Sequence, residues 1–237
     1  MVFNNDDKTL KLMNKELRKY KVKLKFQYYD VCPYNKNKLE IMDIVLKYVD
    51  LLESYYNKIF ILSTLCDECF KSSVSYLVNI YKYFIENIYN DPLDEFYLLN
   101  LMDTIAKIKA LEYTELYKDI LSGPITQSAE SMIKMVSKYY TDEFDDILLT
   151  LIKKENLIPK AWFGEVSEDS KYWCSYITMK CIVDKKDKKY LPFFHEILED
   201  EFMLWINFSD SKYKNKLTLE WKRKYKLLAE KGIKKIK

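Results

Sequence analysis

Two cysteines stand three residues apart in the segment Cys66-Asp-Glu-Cys69. A CxxC pair performs redox chemistry in a βαβ setting, and it binds zinc when a second Cys or His pair supplies the remaining ligands. The sequence offers neither context, because Cys174 and Cys181 are seven residues apart and share one face of a predicted helix. We therefore interpret the cysteines as buried helix residues, and we predict no metal and no cofactor.

Histidine occurs once, at His195. Any catalytic triad or acid–base scheme that uses an imidazole must use this residue. His195 falls in a repeated pattern whose equivalent positions are Lys118 and Asp145, which is typical of a variable helix-surface position. The three glycines are too widely separated to form a phosphate-binding loop. The sequence thus predicts a protein that is not an enzyme.

Charged residues are distributed unevenly along the chain. Residues 212–237 carry a net charge of +9, which leaves −6 for residues 1–211. The acidic residues concentrate at 142–146, 165–169 and 199–201. An acidic surface steers and orients a basic partner, so we expect the acidic body to bind a positively charged protein.

The segment 157–173 combines aromatic and acidic side chains. Aromatic anchors beside a charged rim are typical of protein interfaces. A loop that packs its aromatic residues into the core fits the same pattern. The residues predicted to bind a protein partner are Asp142, Asp145, Asp146, Trp162, Phe163, Glu165, Glu168 and Asp169.

The basic C-terminal segment suggests a second kind of partner. Lys222, Arg223 and Lys224 would neutralise phosphates if the protein bound nucleic acid. Trp221 and Tyr225 could then stack on bases, although their helical spacing also suits docking onto the rest of the fold. Nucleic-acid binding is therefore the alternative hypothesis.

Helices are the elements that must position these residues. Glycine makes up only about 1% of the chain against a usual level of roughly 7%, and sheet proteins need glycine for turns and bulges. We predict an all-α fold, in which the alternating residues 21–28 form a short strand or an extended segment. The chain lacks a long uncharged apolar run and a signal-peptide pattern at its start, so we expect a cytoplasmic protein with no membrane partner.

One pattern occurs three times, at residues 113–121, 140–148 and 190–198. Written once, it is Tyr-x-x-x-(Tyr/Phe)-x-(Asp/Glu)-Ile-Leu, and each copy follows an apolar helical stretch. The pattern therefore predicts that each unit consists of helix A, a short turn and helix B. The aromatic residue and the Ile-Leu of helix B should face neighbouring helices. Such a pair cannot bury both faces alone, so we expect the antiparallel pairs to stack.

These stacked pairs resemble the HEAT-like and armadillo-like α-solenoids over about residues 92–200. The resemblance implies an N-terminal helical part (1–90) continuous with a helical-repeat part (91–237). A capping helix over residues 216–231 would end at Gly232. The copies are 27 and 50 residues apart instead of the usual 40 or so, so an irregular helical bundle stays open as an alternative.

Small helical proteins with an acidic body also resemble bacterial immunity proteins, which neutralise a cognate toxin. The resemblance implies a non-catalytic protein-binding module whose partner is another protein, such as a basic toxin. Two alternatives stay open. One is a nucleic-acid-binding HEAT-like protein or DNA glycosylase-like enzyme of similar size, and the other is a helical protein whose only partner is itself.

Overall fold

The computed structural model describes residues 3–87, 94–140, 142–156, 171–199 and 214–236, together with Met203 and Ile206. These residues form eleven α-helices joined by short 3-10 turns, and they include no strand. The predicted all-α fold class is therefore confirmed. The chain divides into two compact units, residues 1–116 and 117–237, which are described separately here. No described helix is both long and apolar enough to cross a membrane.

The first unit is built from five helices. They are α1 (Phe3–Leu17), α2 (Lys38–Val49), α3 (Tyr55–Leu62), α4 (Val74–Asn87) and α5 (Asp94–Ile108). α1 packs on α2, α2 on α3, and α5 on both α3 and α4. α5 falls within the predicted repeat part (91–237), and its contacts with α3 and α4 place it in the first compact unit. The predicted boundary at residues 90 and 91 lies outside the described residues.

Residues 21–28 form neither a helix nor a strand in the described structure: Lys21 is left-handed with a φ angle of 59°, and residues 26 and 27 form a bend. Leu24 is 1% exposed, while its neighbours Lys23 and Lys25 face solvent. The backbone of Leu24 is held by the Asn14 side chain, which accepts from Leu24 N at 2.7 Å and donates to Leu24 O at 3.0 Å. The alternation of polar and apolar residues therefore reflects one-sided docking onto α1.

The described part of the second unit contains five further helices, and the division between residues 116 and 117 falls within a sixth. They are α6 (Thr114–Ser122), α7 (Glu130–Tyr139), α8 (Asp145–Ile152), α9 (Trp173–Lys185), α10 (Leu191–Leu198) and α11 (Lys214–Ile236). α9 packs against α7, α8 and α11, and α10 packs against α11. The described part of this core therefore centres on α9.

The three motif copies share one pattern of burial. Their central aromatic residues are fully buried, and the acidic residues two positions later are exposed. The aromatic residues are Tyr117, Phe144 and Phe194, and the acidic ones are Asp119, Asp146 and Glu196. The motif thus marks equivalent positions for the aromatic and acidic residues, whereas the isoleucine position differs: Ile120 and Ile197 are buried and Ile147 is half-buried. Regular stacking of these units as an α-solenoid stays a prediction.

The last helix corrects the predicted role of Gly232. α11 does not end there but continues to Ile236. A Cβ atom at position 232 would lie 2.5 Å from Cε2 of Phe194. Glycine is therefore needed for the close approach of α11 to α10, and it does not act as a helix stop.

Lysine occupies three helix ends where glycine is usual. Lys21 follows a 3-10 turn and has a φ angle of 59°. Lys109 follows α5 with a φ angle of 50°, and Lys186 follows α9 with a φ angle of 56°. A side chain with a Cβ atom is strained in this left-handed conformation. The low glycine content therefore does not mean that left-handed turns are absent.

Candidate protein-binding site

The outer sides of α6, α8 and α10 form two adjoining depressions in the second unit. The first has a volume of about 180 Å³ and is lined by Leu121, Ser122, Asp146, Ile147, Thr150 and Lys154. The second has a volume of about 450 Å³ and is lined by Leu149, Thr150, Lys153, Lys189, Pro192, Phe193 and Glu196. Thr150 lines both, so the two depressions adjoin at this residue of α8. We call this surface the α8 groove.

Two carboxylates line the α8 groove together with three lysines, Lys153, Lys154 and Lys189. Asp146 and Glu196 are exposed, and neither carboxylate has an ion-pair partner within the described part of the chain. Half-buried apolar side chains lie beside them, namely Ile147, Leu149 and Phe193. The groove therefore presents two exposed carboxylates beside apolar contact area, in a lining of mixed charge.

Lys154 lines the first depression, but its ammonium group is already engaged. Its Nζ donates to the carbonyl oxygens of Ser122 at 2.9 Å and Leu121 at 3.5 Å, and also to that of Gly123. These carbonyls end α6, where a cation complements the helix dipole. Partial burial lowers the pKa of Lys154. Lys154 therefore fixes the end of α6 and shapes one wall of the groove.

Lys189, at the edge of the second depression, is surrounded by aspartates. Its Nζ contacts the carboxylates of Asp142 and Asp145. Asp145 also accepts a hydrogen bond from the Tyr190 hydroxyl and lies 3.3 Å from Lys185 Nζ. This network ties the start of α8 to the end of α9 and the turn that follows.

The same contacts determine the protonation of Asp145. Partial burial alone would raise the pKa of Asp145, but the hydrogen bonds from Lys189 and Tyr190 outweigh it and hold that pKa below its usual value. Hydrogen bonds to Asp142 and Asp145 raise the pKa of Lys189. Asp145 is therefore ionised and internally neutralised at neutral pH.

The predicted partner-binding residues thus separate into three groups. Asp142 and Asp145 meet at Lys189, and only Asp146 contributes to the α8 groove. Trp162, Phe163, Glu165, Glu168 and Asp169 lie outside the described residues. Sequence reasoning missed Glu196, although it occupies the same motif position as Asp146.

The alternative nucleic-acid site on α11 lacks the expected stacking aromatics. Trp221 and Tyr225 are 1% and 0% exposed. Rings of Tyr172 and Tyr176 lie 6.0 and 5.7 Å from the Trp221 ring. These aromatic residues dock α11 onto the fold, so they are unavailable to bases.

The three basic residues of that site lie around the same helix. Arg223 is exposed, and Lys222 and Lys224 are half-exposed. Lys224 Nζ lies 4.2 Å from the centre of the Trp221 ring, so it packs against the docked indole. Nucleic-acid binding at this site would therefore depend on the charges of these three residues, without stacking of bases on Trp221 or Tyr225.

The prediction that the cysteines are buried helix residues is wrong for the CxxC pair, because Cys69 is exposed and Cys66 is buried but lies between two 3-10 turns. Burial is the main cause that raises the pKa of the Cys66 and Cys69 thiols to about 11, so little thiolate exists at neutral pH. The described residues contain no group of three or more His, Cys, Asp or Glu side chains that could hold a metal. His195 is exposed on α10, as its position in the motif predicts.

The α8 groove is therefore the best-defined candidate site of the second unit. A ligand that fits it carries cationic groups opposite Asp146 and Glu196 and apolar groups opposite Leu149 and Phe193. Basic protein surfaces offer this combination. No protein-family model, curated protein or solved structure matches the chain.

Proposed function

We propose that the protein is a non-catalytic binding module whose α8 groove holds a basic segment of another protein. The observation that carries the proposal is the pair of exposed carboxylates, Asp146 and Glu196, which have no ion-pair partner among the described residues and lie beside half-buried apolar side chains. Charge complementarity accelerates the encounter and selects the partner. Apolar contacts with Leu149 and Phe193 supply affinity.

Within this class, we propose a bacterial immunity protein that acts in the cytoplasm on a cognate toxin and needs no cofactor. A toxin that cleaves nucleic acid must itself carry a cationic surface. An immunity protein that exposes carboxylates in its groove can cover that surface. The charge of Asp146 and Glu196 supports this version of the proposal.

The nucleic-acid alternative has less support. The carboxylates of the α8 groove repel phosphates, and the aromatic side chains of α11 are buried. Only the charges of Lys222, Arg223 and Lys224 favour it.

The proposal is tested by comparing which proteins three tagged versions of the chain capture from a native lysate. They are the wild type, a groove variant with Asp146→Lys and Glu196→Lys, and a control variant with Glu40→Lys and Asp43→Lys. The control residues are exposed on α2, and both variants change the net charge equally.

A single protein captured by the wild type and the control, but lost from the groove variant, is the expected result. Its capture should weaken as salt is raised, because ions screen exposed charges. A protein that the groove variant retains, or that both variants lose equally, would contradict the proposal.

A further inference from the structure

α11 presents a second face to solvent, away from the face that carries Trp221 and Tyr225. Leu219 and Leu227 are 68% and 55% exposed on it. Arg223 lies between them, one helical turn from each, and is also exposed. The leucines are about 12 Å apart along the helix axis, at 1.5 Å per residue. We call this surface the α11 outer face.

Charges of both signs surround the two leucines. Lys216, Lys231 and Lys234 are exposed, and so are Glu220 and Glu230. Lys216 Nζ lies 4.0 Å from Glu220 Oε1, a loose contact on an exposed helix. Basic residues outnumber acidic ones, so the α11 outer face is positive without being uniformly so.

We propose that the α11 outer face of one copy occupies the α8 groove of a second copy. The inference rests on the proposed function, because it uses the same groove. Leu219 and Leu227 supply the apolar groups that the groove takes up, and Arg223 supplies the cation for Asp146 or Glu196. The two surfaces share no residue, so one copy can use both at once.

The mixed charge of the α11 outer face favours this occupant. A phosphate backbone or an anionic bilayer would attract Arg223 but repel Glu220 and Glu230. A phosphate backbone also offers nothing apolar to the two leucines. The α8 groove offers apolar side chains, and its lining carries lysines as well as carboxylates, so charges of both signs on the α11 outer face find opposite charges there.

The contact is heterologous, because different surfaces of the two copies meet. It therefore joins copies head to tail and leaves one open groove at the end of each chain of copies. Few residues take part, so the association is weak, reversible and sensitive to salt. A basic partner protein then competes with the second copy for the same groove.

Sedimentation equilibrium of the full-length chain tests the inference. The groove variant (Asp146→Lys, Glu196→Lys) is compared with a helix variant (Leu219→Ser, Arg223→Glu, Leu227→Ser). The matched control is Leu39→Ser with Leu51→Ser, since these leucines are 54% and 60% exposed in the first unit. Far-UV circular dichroism verifies that each variant keeps its helical content.

We expect the average mass of the wild type and the control to rise with concentration between about 10 µM and 500 µM, the range of a weak contact. Each variant alone should stay monomeric. An equimolar mixture of the groove and helix variants should form dimers and nothing larger, because each variant retains one intact surface.

Wild type that stays monomeric over this range would overturn the inference, as would variants that still associate or a mixture without dimers. A short DNA duplex and vesicles of anionic lipid are tested in parallel. If monomeric wild type binds the duplex or the vesicles and the helix variant does not, the α11 outer face is assigned to that ligand instead. A different result tests the proposed function. It requires that the helix variant still binds the basic partner protein and that the groove variant does not.

Discussion

Asp145 and Asp146 are neighbours in the sequence, but their carboxylates have different surroundings. Successive residues on a helix point about 100° apart, which follows from 3.6 residues per turn. Asp145 turns toward Lys185 and Lys189, whereas Asp146 lines the α8 groove. The sequence predicted an acidic segment here. It could not separate the two roles, because the partner lysines lie about 40 residues further along the chain.

Replacing Asp145 with Asn should destabilise the protein. Lys185 and Lys189 would lose their shared counter-charge, and we expect the free energy of unfolding to fall by about 2 kcal/mol. Urea unfolding at pH 7 measures the change. Asp142→Asn is the control, because Asp142 also contacts Lys189 but its side chain is 79% exposed; it should cost less than about 0.5 kcal/mol. Equal costs for the two substitutions would contradict the assigned roles.

The lowered pKa of Asp145 makes this contribution depend on pH. A carboxyl group whose pKa is lower in the folded state stabilises the fold fully above its unfolded-state pKa of about 3.9. The contribution disappears as pH falls through the folded-state pKa. The difference in melting temperature between wild type and Asp145→Asn should therefore be constant from pH 7 to about pH 5 and shrink below about pH 4. A difference that persists unchanged in acid would show that the effect is not electrostatic.

At the scale of elements, two rules about glycine gave different results. The low glycine content correctly predicted an all-helical chain. The expectation that Gly232 ends α11 was wrong, because the reason for glycine at this position is the Phe194 ring of α10. A single sequence shows that a residue is small, but it does not show which neighbour requires it to be small.

Gly232→Ala should therefore destabilise the protein, although the same change in an ordinary exposed helix stabilises it. The added methyl group overlaps the Phe194 ring, and we expect a loss of about 1–2 kcal/mol in the free energy of unfolding. Combining it with Phe194→Leu tests the cause. The loss from Gly232→Ala should be smaller in the Phe194→Leu background than in wild type, and an unchanged loss would point to another contact.

Lys186→Gly should have the opposite effect. Lys186 is exposed and follows α9 with a φ angle of 56°, where glycine is free of strain. We expect a gain of about 0.5–1 kcal/mol in the free energy of unfolding. Lys11 is exposed in the middle of α1, so Lys11→Gly is the matched control and should lose a similar amount. A loss at both positions would contradict the role of left-handed strain.

At the scale of the whole molecule, the repeated motif was the most informative part of the sequence. It predicted which aromatic residues of α6, α8 and α10 are buried, because burial on a helix follows local periodicity. It did not predict the α8 groove, which depends on how separate helices approach one another. The docking of residues 21–28 on α1 and the packing of α5 in the first unit were missed for the same reason.

The α8 groove also changes which acidic residues matter for binding. Sequence reasoning grouped Asp142, Asp145 and Asp146 by proximity along the chain. The described structure joins Asp146 with Glu196 along one groove and neutralises the other two at Lys189. Two exposed carboxylates next to apolar side chains are the feature of the groove on which the proposed function rests.

The affinity of the captured partner for purified wild type, groove variant and control variant tests the central claim most directly. It is measured at low and at physiological ionic strength. The account predicts that Asp146→Lys with Glu196→Lys weakens binding at least about 100-fold, mainly at low salt, because two attractive charges become repulsive. Glu40→Lys with Asp43→Lys should change it less than about twofold. Equal affinity for wild type and the groove variant would show that the partner binds elsewhere on the protein.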